Sequence, residues 1–109
     1  MDIKITGKHI AITDEIRDRI EEKISGFPKY YSSVLAVEVI VESGKAGQQS
    51  TVEIIARAKH NHTLVASQSG SDVYACVDEA VKKVERQLVK QKQKERDNKH
   101  SGEAQQEIE

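Results

Sequence analysis

The chain has no tryptophan, one phenylalanine and three tyrosines among its 109 residues. That shortage of aromatics argues against a platform on which successive nucleic-acid bases stack. The single cysteine, Cys76, excludes a disulfide framework and a cysteine-based zinc site, and it fits a reducing compartment. No apolar run is long enough to cross a bilayer, and Met1 leads straight into the strand-like Asp2-Ile3-Lys4-Ile5-Thr6 rather than into a charged leader with an apolar core. The expectation is a soluble cytosolic protein. A hydrophobic share of 37% against a charged share of 32% puts part of the chain outside any core. The length suits one small domain. A formal net charge of -1 excludes a uniformly basic protein but leaves room for a local basic face.

What the chain does have is one long amphipathic segment, Asp72 to Arg96. Val73, Val77, Ala80, Val81, Val84 and Leu88 recur at three- and four-residue steps, which is the apolar stripe of a helix. Lys82, Lys83, Arg86 and Lys90 project away from that stripe, interrupted mainly by Glu79, and Lys92, Lys94 and Arg96 continue the charge after the stripe fades. Packing requires only the apolar stripe. The one-signed outer face is either a solvated surface or a contact for a polyanion.

The preceding chain supplies a sheet for this helix to cover. Asp2 to Thr6 alternates and reads as a strand ended by Gly7. Thr13 is suited to cap a first helix, Asp14 and Glu15 suit its dipole, and Ile16, Ile20 and Ile24 form its stripe until Gly26 and Pro28 end it. Phe27 is expected to fold back on the core. Leu35 to Glu42, Thr51 to Lys59 and Thr63 to Gln68 read as three further strands. A loose connection at Ser43 to Ser50 and a polar tip at His60-Asn61-His62 separate them. Ser71 or Asp72 caps the last helix. The predicted architecture is α+β, in the order β-α-β-β-β-α: a four-stranded sheet with two helices packed on one face. A helical crossover makes the first two strands parallel. Residues 1–96 form the domain and residues 97–109 a disordered polar tail.

Catalytic candidates are weak. His60 and His62 lack evident third and fourth ligands, so a polar turn accounts for them better than a metal site. Cys76 reads as a buried structural thiol. Tyr30 and Tyr31 read as packing residues rather than stacking ones. Nothing assembles a nucleophile, a base and an oxyanion site, so no enzyme, cofactor, metal or small-molecule substrate is expected.

Four segments together carry a family resemblance: Ile5-Thr6-Gly7, Thr13-Asp14, Asp72-Val73-Tyr74-Ala75-Cys76-Val77-Asp78, and Glu85-Arg86-Gln87-Leu88-Val89-Lys90-Gln91-Lys92. Over residues 1–96 the chain resembles the short form of the ribosome hibernation promoting factors, also called protein Y or ribosome-associated inhibitor. The resemblance implies a fold similar to a double-stranded-RNA-binding domain with an extra strand. It also implies a bacterial or plastid protein, monomeric when free, that binds the small ribosomal subunit and its rRNA under stress or in stationary phase. There it would occupy the channel of messenger and transfer RNA. Carried over by position, the implied rRNA-binding residues are Lys23 in the first helix and Lys82, Lys83, Arg86, Lys90, Lys92 and Lys94 in the second. The first helix departs from the pattern because acids dilute Arg17 and Arg19. Two other readings compete: a general binder of structured RNA, and a regulator that contacts a protein such as a transcription factor through the last helix.

Overall fold

The computed structural model of the chain describes residues 1–44 and 49–101. Its elements are β1 (Asp2–Lys8), α1 (Asp14–Ile24), α2 (Phe27–Tyr30), β2 (Val34–Ser43), β3 (Ser50–Ala58), β4 (His62–Gly70) and α3 (Val73–Ser101). The strands lie side by side in chain order. β1 pairs with β2 in parallel, as a helical crossover requires, and β2, β3 and β4 form an antiparallel meander. This is the expected α+β order, with α2 as a short addition between α1 and β2. Pro28 sits in the first turn of α2, where its missing N–H costs no hydrogen bond.

Alternation decides which face is covered. Val37, Val39 and Val41 pair in register with Ala56, Ile54 and Val52, and all six are buried. Against them pack Ile16, Ile20, Ile24 and Phe27 from one side and Val77, Ala80, Val81, Val84 and Leu88 from the other. The opposite parity, Glu38 across from Ile55 and Ile40 across from Glu53, stays half-buried on the face without helices. The two helical stripes and the strand alternation therefore meet in one apolar layer. Among the described residues no polar or charged side chain is fully buried.

Local chemistry sets the boundaries. Thr13 is extended, and its hydroxyl accepts from the Ile16 N–H at 3.2 Å, the N-cap bond expected of it. At α3 the capping carboxylate is Asp72, which accepts from the Tyr74 N–H at 2.9 Å. Gly7, expected to end β1, lies within it, since the strand runs on to Lys8; a Cβ there would stand 2.5 Å from the Ile10 carbonyl oxygen, because the chain doubles back too closely for any side chain. At the β3–β4 tip, His60 and Asn61 both have positive φ, 64° and 62°. The His62 N–H returns to the Lys59 carbonyl. Two left-handed residues in succession match the right-handed twist of a hairpin.

The helix expected to close near Arg96 continues to Ser101. Among the residues whose side chains are described, Leu88 is its last buried one, so core packing does not hold the turns that follow it up to Arg96. Lys, Gln, Glu and Arg are all good helix formers, and the Lys90–Arg96 run consists of nothing else. Of the expected loose connection at Ser43 to Ser50, residues 45–48 lie outside the described residues, as do residues 102–109 of the expected tail.

Candidate nucleic-acid interface

With the stripe of α3 fixed on the sheet, the position of every other side chain on that helix is set. At about 100° per residue, Lys82, Arg86, Lys90 and Lys94 form a basic row stepping about 6 Å along the axis. All four are exposed. One acid intrudes: Glu79 lies 3.6 Å from the Lys82 ammonium, one turn away on an exposed surface. Such a pair is worth little and yields readily to a phosphate. Val89 is also exposed on this side.

The predicted site residues do not all lie on this row. Lys83 turns toward the edge of the sheet, where its Nζ donates to the Ser67 carbonyl at 2.9 Å. One turn on, the Gln87 amide donates to the Val65 carbonyl at 2.9 Å. Strand β4 is an edge strand, and these two side chains satisfy carbonyls that would otherwise face outward. Lys83 is therefore half-buried and engaged, not side by side with Lys82, Arg86 and Lys90 as the linear pattern suggested. Lys92 falls on the other flank, in a small pocket with Tyr31, Ser32, Ser33, Glu95 and Arg96.

The first helix meets α3 through a contact that the linear pattern does not announce. Arg19 spans to Asp78 with a forked pair of hydrogen bonds, Nε to Oδ1 at 3.1 Å and Nη2 to Oδ2 at 2.7 Å. Its guanidinium carbon stands 5.7 Å from the centre of the Tyr74 ring. The Arg19 hydrogen bond holds the Asp78 carboxyl below its usual range against the opposing effect of burial, and the charges of Arg19, Lys23 and Lys82 add to it. Lys23 and Lys82 are thus brought together around one carboxylate. Arg19 is an internal tie between the helices. The rest of α1 toward Tyr74 is acidic: Glu15, Asp18, Glu21 and Glu22 line an open hollow there. The basic surface is a row on one helix, flanked by Lys23, rather than a two-helix plateau.

A second such contact lies at the far end. Tyr31 is buried, and its hydroxyl donates to the Glu95 carboxylate. Burial, then this bond, pushes the Tyr31 phenol up, with Ser33 acting in the other direction. In the core, burial first and Asp72 second raise the Cys76 thiol, an environment opposite to that of a reactive cysteine. His60 and His62 stand edge to face at the β3–β4 tip, ring centres 6.5 Å apart. Among the described residues no group of three or more His, Cys, Asp or Glu could hold a metal, and no helix is long and apolar enough to cross a membrane.

A family model described as sigma 54 modulation protein / S30EA ribosomal protein matches residues 3–96. The chain belongs to this family. Among its relatives, a ribosome hibernation promoting factor of Azotobacter vinelandii is 32% identical over 102 residues, covering 87% of this chain and 86% of that one. Its counterpart in Escherichia coli K12 is 30% identical over 94 residues, covering 86% and 96%. Among solved structures, the N-terminal domain of Thermus thermophilus Protein Y superposes with a TM-score of 0.75 at 27% identity, covering 83% of this chain and 98% of that one. A ribosomal subunit interface protein of Coxiella burnetii gives 0.73 at 24% identity, covering 84% and 98%, and at that identity supports the fold alone. The matched span ends at Arg96, so it includes the whole basic row.

Proposed function

We propose that this protein is a non-enzymatic ribosome hibernation factor of the cytosol. In this reading it binds the small ribosomal subunit at the decoding region during stress or stationary phase, and its bulk excludes messenger and transfer RNA. The observation that carries the reading is the row Lys82, Arg86, Lys90 and Lys94, exposed on the side of α3 away from the stripe that packs into the core as far as Leu88. Kinship with hibernation promoting factors supports the ribosome as the partner. Cations one turn apart on a rigid helix suit successive phosphates of folded RNA, fixing position without reading sequence. Arg86 binds a phosphate through two donors and the lysines as point charges. Lys23 extends the row from α1. Lys94 carries the row past Leu88, Lys92 adds charge on the other flank of α3, and Lys83 contributes charge while bracing β4.

Sedimentation with intact ribosomes and with separated subunits, at two salt concentrations, tests this directly. The protein should pellet with the small subunit at low salt and release as salt rises, because displaced counterions oppose binding. It should also reduce cell-free translation in proportion to occupancy. Binding to isolated RNA duplexes as tight as binding to subunits would instead mark a general structured-RNA binder.

A further inference from the structure

The pocket beside Lys92 has features that the basic row does not account for. It measures about 120 Å³ and is lined by Tyr31, Ser32, Ser33, Lys92, Glu95 and Arg96. Its floor is a tight turn closed by the Val34 N–H on the Tyr31 carbonyl at 3.3 Å, and the Lys59 N–H pins that turn to the end of β3 through the Ser33 carbonyl at 3.0 Å. Its wall is the part of α3 beyond Leu88. Lys92 and Arg96 are one turn apart there, so their heads reach the same side. Both are exposed, and Ser32 is exposed beside them.

We infer that this pocket is a seat for one phosphate group. The chemistry is a matter of which groups remain free. The one carboxylate, Glu95, already accepts the buried Tyr31 hydroxyl. What remains is donors: a guanidinium fork, an ammonium, and serine hydroxyls that rotate to suit. Two cations against one engaged carboxylate exclude a metal ion. The tyrosine ring is buried, which excludes a stacked base. An oxyanion with several acceptor oxygens matches this set, and the guanidinium fork fits phosphate geometry.

The source assigned to the phosphate is the backbone of the docked RNA, since the seat lies on the same helix as the basic row, on its other flank. To that extent the inference rests on the hibernation reading. Tyr31 is then a positioning residue: its hydroxyl engages the Glu95 carboxylate, which also lines the seat and would otherwise compete with a phosphate for Lys92 and Arg96.

The full chain is tested in two arms. In the first, amide spectra are followed while inorganic phosphate is added at constant ionic strength, with chloride as control. Saturable shifts at Ser32, Ser33 and Lys92, lost in the Lys92→Gln, Arg96→Gln double variant, support the seat; uniform, unsaturating shifts overturn it. In the second arm, variants are pelleted with small subunits across a salt series. The double variant should bind several-fold more weakly with a shallower salt dependence. Tyr31→Phe should bind more weakly while folding as the parent does by circular dichroism, and Tyr31→Phe with Glu95→Gln should recover. A purely structural tyrosine gives no such rescue, and that result overturns its assigned role. If the parent pellets and the double variant pellets equally well, RNA as the source is overturned. If the parent itself fails to pellet, the hibernation reading fails, and the phosphate titration alone decides the seat.

Discussion

Lys83 and Arg86 are three residues apart on α3, and the structure puts them in opposite settings. Arg86 and Lys90 face solvent on the exposed row, whereas the Lys83 ammonium donates to the Ser67 carbonyl at the edge of β4. Replacing Arg86 and Lys90 together by glutamine should leave the melting temperature nearly unchanged and weaken binding to the small subunit. If each contact is a charge-assisted bond partly open to solvent, each contributes on the order of 1 kcal/mol to binding. The double variant should then bind roughly tenfold to thirtyfold more weakly. Removing two phosphate contacts should also make the plot of log affinity against log salt shallower by about 1.4 to 1.8, a size set by simple nucleic acids and carried to a ribosome only roughly. Lys83→Met should behave inversely. It leaves a carbonyl on the free edge to water, costs about 0.5–1 kcal/mol of stability and lowers the melting temperature by a few degrees. It should change the salt slope less than either member of the row. The assay is subunit pelleting over a salt series with matched thermal melts. A row variant that binds like the parent at physiological salt, or a Lys83→Met slope change as large as that for Arg86, would refute this division of labour.

Val84 is fully buried, so Val84→Asp should cost several kcal/mol by burying a charge with no partner, and Val84→Ala about 2 kcal/mol; urea melts compare them. The Arg19–Asp78 tie predicts that Asp78→Asn and Arg19→Gln each lower the melting temperature and that their effects are not additive, as a double-mutant cycle reads. Because the folded Asp78 carboxyl sits below its usual value, its stabilisation is present above the unfolded carboxylate range and is lost as pH falls through the lowered value. Acid melts of Asp78→Asn should therefore lose less stability below about pH 4 than those of the parent. At the hairpin tip, Asn61→Val places a branched side chain at positive φ and should lower the melting temperature by about 4–8 °C, while Asn61→Gly should change it little. Buried Cys76 should react with a thiol reagent at neutral pH only as fast as the protein unfolds, and faster labelling would contradict its packed, protonated state.

The apolar pattern made the fold legible. Ile16, Ile20 and Ile24 recur every fourth residue, and Val37, Val39 and Val41 every second. Each period allows only one face to be buried, which dictates the helices, the strands and the core layer they share. What the pattern did not contain was polar partnership across the fold. Nothing near Arg19 in the chain points to Asp78, 59 residues away, nor does Tyr31 point to Glu95, 64 residues away. The edge contact of Lys83 and Gln87 had a readable signal. They are one turn apart on the flank of a helix that comes directly after an edge strand, and an edge strand needs donors for its outward carbonyls. The continuation of α3 from Arg96 to Ser101 was not readable: Asp97, Asn98, His100 and Ser101 are weak helix formers, and periodicity gave no sign of it.

The Arg19 tie narrows the interface as well as the assignment of residues. In the linear sequence both helices carry cations, and a docking surface made of both would be broad. In the fold Arg19 is committed to Asp78, and four carboxylates line the hollow between α1 and Tyr74. RNA approaching along α1 meets repulsion there; along α3 it meets a single row of positive charge. Because the tie fixes α1 against α3, the acidic hollow cannot rotate away to widen the row. In the proposed reading the footprint therefore runs along the axis of α3, entering beside Lys23 and Lys82 and passing outward over Arg86 and Lys90. Glu21→Gln with Glu22→Gln consequently removes repulsion and not attraction: binding to small subunits should hold or tighten, most visibly at low salt where screening is weakest. Loss of binding in that variant would mean that the carboxylates of α1 themselves contact the partner, which would place the docking surface on the other helix.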